Sequence, residues 1–191
     1  MSSSVQDCLD NHTCFRLLLQ AMSRPGKIFQ MPDAVGTTFI TGLMRLLDSI
    51  LDQQSSFHLI NNNAELQHKI KKTTGARFTE AASADFLFAL SGNSQGKIMV
   101  AKRGRPDLPN DGATIVFGVE CLTDGSEETG IKLTGPGIKD AIYPHIEGWG
   151  NEELEQLQTV NAEFPLGVDC IFLDQRNRLM CIPRSTRCGG R

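Results

Sequence analysis

The chain has 191 residues, 40% hydrophobic and 21% charged, with 19 Lys+Arg against 22 Asp+Glu for a formal net charge of −3. These values fit one globular domain and exclude wholesale disorder. The slightly acidic balance, with one Trp and one Tyr beside ten Phe, excludes a general nucleic-acid coat, which needs basic surface and stacking rings.

Residues 1–10 read as a polar, frayed start with neither the basic segment nor the apolar run of a secretory signal. Phe15, Leu18, Leu19 and Met22 then recur at helical spacing, with Asn11 or Thr13 as cap and Ser23-Arg24-Pro25-Gly26 as stop. A second helix is predicted over Thr37–Leu51, with Phe39, Leu43, Leu46, Leu47 and Ile50 inward. Ser55–Ile60 alternates like a strand. Asn61–Lys72 is a short helix with Leu66 and Ile70 inward and Gly75 beyond its end.

Ala84–Leu90 and Thr114–Leu122 are rich in β-branched and aromatic residues and read as strands, with a helical turn or two at Lys97–Lys102 between them. Ile131–Leu133 is a short strand broken by Thr134-Gly135-Pro136-Gly137. Asn151 caps a helix over Glu152–Val160, whose acidic first turn suits the positive helix terminus. Gly167–Leu173 and Leu179–Ile182 bracket a hairpin turn at Asp174–Arg178. The alternation of helices and strands predicts one α/β domain over residues 11–191, a mixed sheet flanked by helices with the closing hairpin as its antiparallel part. The most apolar windows, Ala84–Leu90 and Val168–Leu173, fall far short of the ~20 residues of a membrane helix. A soluble, cytoplasmic protein is expected.

Six cysteines, at 8, 14, 121, 170, 181 and 188, form no CxxC and no zinc-knuckle spacing, and the four histidines are scattered. Reduced, structural thiols and no metal are expected. Charge is polarised along the chain. Residues 120–163 carry ten acids and two lysines, whereas residues 175–191 carry five arginines and no acid. The general expectation for such segments is a solvated surface; complementary docking of subunits is the sharper alternative.

Gly92-Asn-Ser-Gln-Gly96-Lys97-Ile98 is not a phosphate loop, because three residues rather than four separate the glycines and Ile follows the Lys. No GxGxxG, GxSxG or HExxH pattern occurs. Asp169 lies inside an apolar strand, so its carboxylate must face solvent or find a partner. Three Gly/Pro turns carry nearby charge: Ser23–Lys27, Thr134–Ile138 and Ile182–Arg187. Their arginines, Arg24, Arg184 and Arg187, have the forked donors that suit phosphate or carboxylate.

These turns also carry a family resemblance. Phe15-Arg-Leu-Leu-Leu-Gln-Ala-Met-Ser-Arg-Pro-Gly26 resembles the opening motif of the PhnH family, a subunit of the bacterial carbon–phosphorus lyase machinery. Thr74-Gly-Ala-Arg77, Ala84-Asp-Phe-Leu-Phe88, Leu133-Thr-Gly-Pro-Gly-Ile138, Pro165-Leu-Gly-Val-Asp169 and Ile182-Pro-Arg-Ser-Thr-Arg187 follow in the family's order. The departures are Gln20 in place of an acid, Ser185 in place of Thr, and Asn110-Asp111 before Gly112.

The resemblance implies a subunit that supports transfer of a ribose triphosphate unit from MgATP, the substrate of the complex, to a phosphonate. It implies a homodimer in isolation, a core with G, I and J subunits, and associated K and L proteins. It implies a fold like the large domain of pyridoxal-phosphate-dependent transferases, without the cofactor: none of the eight lysines sits in a recognisable aldimine motif. Iron–sulfur chemistry would belong to the J subunit. No catalytic residue is assigned. The candidate ligand- or partner-binding residues are Arg24, Gly26, Gly135, Gly137, Asp169, Arg184 and Arg187.

Overall fold

The computed structural model describes residues 3–32 and 38–189. In chain order its elements are α1 (Ser3–Ser23), β1 (Phe29–Gln30), α2 (Phe39–Ile50), β2 (Ser56–Leu59), α3 (Ala64–Thr74), β3 (Arg77–Phe78), β4 (Phe86–Ala89), β5 (Arg103–Arg105), β6 (Leu108–Gly112), β7 (Thr114–Val119), β8 (Cys121–Asp124), β9 (Leu133–Thr134), β10 (Pro144–Glu147), α4 (Asn151–Val160), β11 (Asp169–Asp174), β12 (Arg178–Ile182) and β13 (Arg187–Cys188). Seven strands form one mixed sheet in the order β1-β12-β11-β7-β4-β2-β3. The pairs from β11 through β7, β4 and β2 to β3 are parallel, and β12 runs antiparallel to both β11 and β1. This is the predicted α/β class, and the closing hairpin supplies antiparallel pairing as expected.

Both faces of the sheet are covered, which is why its central strands are apolar at nearly every position. Side chains alternate between the faces along each strand. On β11, Ile171 and Leu173 join the core under α1, α2 and α3, with Leu18, Leu43, Leu47, Phe57 and Phe88. Cys170 and Phe172 point the other way, into the core under α4 with Phe117, Trp149, Leu154 and Leu157. There Phe117 and Phe172 stack with centroids 5.3 Å apart, and Trp149 meets both edge-on at 5.8 and 5.1 Å. Such aromatic geometry adds about 0.5–1.5 kcal/mol per pair beyond area burial.

Local signals explain most boundaries. Asn63 accepts the Leu66 amide and caps α3, and Gly75 ends it in a left-handed conformation. Thr38 accepts the Thr41 amide and caps α2; the expected start at Thr37 lies outside the described residues.

Four expectations change. The helix expected from about residue 11 begins at Ser3, because no proline or glycine interrupts the preceding residues. Over residues 11–23 its buried stripe is Cys14, Leu18 and Ala21, while Phe15 and Leu19 are 43% and 52% exposed. The Leu17-Leu-Leu19 run makes more than half the circumference apolar. The small Cys14 and Ala21 face inward, where Ser49 of α2 reaches the Cys14 sulfur. The cap of α4 is Gly150, not Asn151, and it bonds through no side chain. The strand expected over Thr114–Leu122 divides at Glu120, whose amide bonds to Glu147 O, into β7 and β8.

Candidate functional site

The three charged Gly/Pro turns, far apart in sequence, meet on one surface. The first leaves α1, and the Gly26 amide donates to Cys181 O of β12 at 3.0 Å. The second and third are joined by β9 and β13, which set Arg187 opposite Thr134. Gly137 has φ +83°, and a Cβ there would meet the Ser23 carbonyl oxygen and come within 2.9 Å of the Pro25 ring. Gly26 has φ +75°, with Ile142 Cδ1 2.6 Å from where its Cβ would lie. Both positions need glycine for conformation and for close approach. Gly135 passes beside the carbonyl of Ser185. Sequence reasoning picked these turns separately; the fold makes them one feature.

Asp169 and Arg184 also come together. The Arg184 amide donates to Asp169 Oδ1 at 2.8 Å, and Nη2 donates to Oδ2 at 2.6 Å. Nη1 donates to Pro109 O at 2.7 Å, which ties the β5–β6 hairpin to the start of β11. Little of either side chain reaches solvent, 13% for Arg184 and 18% for Asp169. Asp169 therefore reaches a partner and does not stand on a wet strand face. The Arg184 guanidinium is committed inside the protein. Arg24 and Arg187 are exposed.

Between α4 and the joined turns lies a cleft of ≈ 670 Å³, walled by Gly135, Pro136, Leu157, Phe164, Thr186 and Arg187 among others. Among the described residues, none that line it is acidic. Thr186 is only 5% exposed, and among the described residues its hydroxyl has no hydrogen-bond partner. Phe164 is 64% exposed at the rim.

Other polar groups were not legible as functional from sequence. Asp174 is fully buried. Its carboxylate accepts the amides of Leu122, Arg176 and Arg178, and lies 2.6 Å from Arg178 Nη2. Arg178 also reaches Cys121 Sγ at 3.1 Å. An Asp opening a turn four residues before an Arg was the available signal. Glu153, buried on α4, accepts the Ser94 amide and hydroxyl at 2.8 and 3.0 Å. The Gly92–Gly96 loop thus directs polar groups at the protein's own carboxylate, consistent with its failing the phosphate-loop pattern.

Lys102 pairs with Asp85 and lies 3.4 Å from Asp111. Burial alone would raise the Asp85 carboxyl, but the Lys102 and Ser56 hydrogen bonds outweigh it and hold it below the usual range. Burial opposes charge on Lys102, yet Asp85 and Asp111 hold its ammonium above the usual range. Burial pushes the Cys14, Cys170 and Cys181 thiols up, and that of Cys188 to about 12. These four are packing groups in their present environment. Among the described residues no group of three or more His, Cys, Asp or Glu could hold a metal ion, and no helix is long and apolar enough to cross a membrane.

Two comparisons bear on this geometry. The profile of the bacterial phosphonate metabolism protein family, PhnH, matches residues 4–189. The chain is also 28% identical over 176 residues to a protein of Stutzerimonas stutzeri that carries the name of a C-P lyase subunit protein, HtxG. That alignment covers 91% of this chain and 83% of the relative.

Proposed function

The chain belongs to the PhnH family of bacterial phosphonate metabolism proteins, and on that premise we propose that it works as a subunit of a carbon–phosphorus lyase assembly. The observation that carries this reading is the match over residues 4–189, which takes in all three joined turns. The name of the Stutzerimonas relative points the same way. In this reading the subunit supports a transferase step. The adenine of MgATP is displaced by a phosphonate such as methylphosphonate, giving ribose 1-phosphonate 5-triphosphate. MgATP enters as the substrate of the assembly, and this subunit holds neither pyridoxal phosphate nor an iron–sulfur cluster.

Its contribution is structural and substrate-assisting. Gly26 and Gly137 lock the first two turns against each other, and Arg184 fastens the third to Asp169. The result is a stiff surface rather than a self-contained catalytic constellation. The subunit forms a homodimer by itself and in the cytoplasm meets the G, I and J subunits, with K and L proteins associated. The uneven charge, acidic over 120–163 and arginine-only over 175–191, suits docking steered by opposite patches.

A tagged copy, expressed with the G, I and J subunits, is expected to retain all three through affinity and sizing steps. It is also expected to restore growth on methylphosphonate as sole phosphorus source to a strain lacking its PhnH gene. Failure to retain any of them, with growth unrestored, contradicts the reading. A second reading has the subunit itself hold phosphate or nucleotide through a loop arginine. Of Arg24, Arg184 and Arg187, the geometry favours Arg187: Arg184 is committed to Asp169, and Arg24 does not line the cleft.

A further inference from the structure

We propose that the cleft between α4 and the joined 134–137 and 184–187 turns binds a small organic phosphate or phosphonate. Arg187 holds the oxyanion and Phe164 covers the apolar part. The inference rests on the second reading above and narrows it to one place and one ligand class. The ≈ 670 Å³ of the cleft lies within the range of roughly 300–1,000 Å³ usual for small-molecule sites.

Its charge selects an anion. Among the described residues two arginines and no carboxylate line it. The charge of Arg184 is balanced from behind by Asp169 at 2.6 Å. Among the described residues that leaves Arg187 as the uncompensated cation in the wall, and a guanidinium fork matches two oxygens of a tetrahedral oxyanion. Beside it, the Thr186 side chain lines the wall, its hydroxyl buried and without a hydrogen-bond partner among the described residues. Thr134 and Ser185 bring two more hydroxyl-bearing side chains to the same wall.

From the end of α4 and the segment after it, Leu157, Ala162 and Phe164 bring apolar surface to the cleft, beside the amides of Gln158 and Asn161. A ring left 64% exposed beside a cation-lined cleft offers a flat surface to the non-polar end of the same ligand. The two halves together favour an oxyanion joined to an apolar or aromatic group over a bare inorganic anion.

The test uses the full chain and two probes, phenylphosphonate and methylphosphonate, titrated by calorimetry and by amide chemical shifts. Phenylphosphonate is expected to saturate at millimolar concentration or below, and methylphosphonate to bind several-fold more weakly. Shifts should centre on 134–137 and 184–188. Arg187→Gln is expected to weaken phenylphosphonate by roughly tenfold or more, the loss of one charge-assisted fork. Arg187→Lys should fall between, since it keeps the charge and loses the fork. Phe164→Ala should erase the preference between the probes, and Arg24→Gln should change nothing.

Matched circular dichroism and melting confirm that each variant folds. If Arg187→Gln does not fold, the Lys and Phe164→Ala variants decide. No saturable binding, shifts centred elsewhere, or Arg187 variants that bind like the parent would overturn the proposal. The assembly role is read separately, by omitting the whole subunit, so either idea can fail while the other stands.

Discussion

Arg184 and Asp169 grip each other at the point where β12 ends and β11 begins, with Arg184 Nη2 2.6 Å from Asp169 Oδ2 and the Arg184 amide 2.8 Å from Oδ1. The same guanidinium reaches Pro109 O at 2.7 Å. One side chain therefore joins the third turn, the sheet and the β5–β6 hairpin. Arg184→Ala is expected to destabilise the fold by about 2–3 kcal/mol, since it leaves a mostly buried carboxylate without its partner. Arg184→Ala with Asp169→Ala should cost less than the sum of the two single changes. Urea unfolding midpoints check both.

Gly137→Ala is expected to cost about 1–3 kcal/mol, because φ +83° strains any side chain and the added Cβ runs into the Ser23 carbonyl and the Pro25 ring. The melting temperature reads this. Gly150→Ala is the comparison: nothing lies within 4 Å of its Cβ position and its φ is negative, so it should cost less, at most about 1 kcal/mol for replacing Gly by the poorer helix cap Ala.

The Asp85–Lys102 pair sets a pH window. Asp85 has a depressed folded pKa, so its contribution is present above the unfolded carboxyl value of about 3.9 and is lost as pH falls through the lower folded value. Lys102 has a raised folded pKa, so its contribution is present below about 10.4 and is lost as pH rises through the higher folded value. Asp85 is 36% exposed, so the pair is worth no more than about 1 kcal/mol. Asp85→Asn should lower stability near neutral pH, and the gap to the parent should close below about pH 4.

Asp48 runs the opposite way. One of its carboxylate oxygens is buried without a hydrogen bond among the described residues. Burial raises its folded pKa against the pull of Lys69. Its charge is therefore a cost above the folded value, relieved as pH falls toward the unfolded one. Asp48→Asn should stabilise the protein at neutral pH and lose that advantage in acid.

The thiols give a chemical readout. Cys170 and Cys181 are fully buried, and Cys188 is pushed up to about 12. At pH 8 these three and Cys14 should resist an aromatic disulfide reagent until denaturant is added. Rapid native labelling at any of them, located by mass spectrometry, would contradict this environment.

The legible part of the fold was the part with a strong period or a named turn. The Asp174–Arg178 hairpin, the Asn63 and Gly75 caps and the central strands follow from local chemistry that tertiary packing reinforces. Two-residue strands such as β1, β3 and β13 have no period to read, and they exist because neighbouring segments present free edges; the strand expected over Ile131–Leu133 forms only at Leu133–Thr134. The rotation of α1 was hidden for another reason. Leucine fills so much of its surface that only the docking partner, reached by small Cys14 and Ala21, selects the buried stripe.

The site divided similarly. Its turns announced themselves through Gly, Pro and Arg, but pairing Arg184 with Asp169 and leaving Arg187 open required the sheet register. Glu153 and Asp174 looked like ordinary acids, because burial cannot be read from a helix start or a turn.

The most direct measurement follows the transferred phosphonate. Purified G, I and L subunits are supplied with MgATP and methylphosphonate, with and without this chain, and the ribose 1-phosphonate 5-triphosphate product is monitored by phosphorus NMR. The account predicts that product forms when the chain is present, is lost when it is omitted, and returns on adding it back. Equal product with and without it would contradict the proposed role.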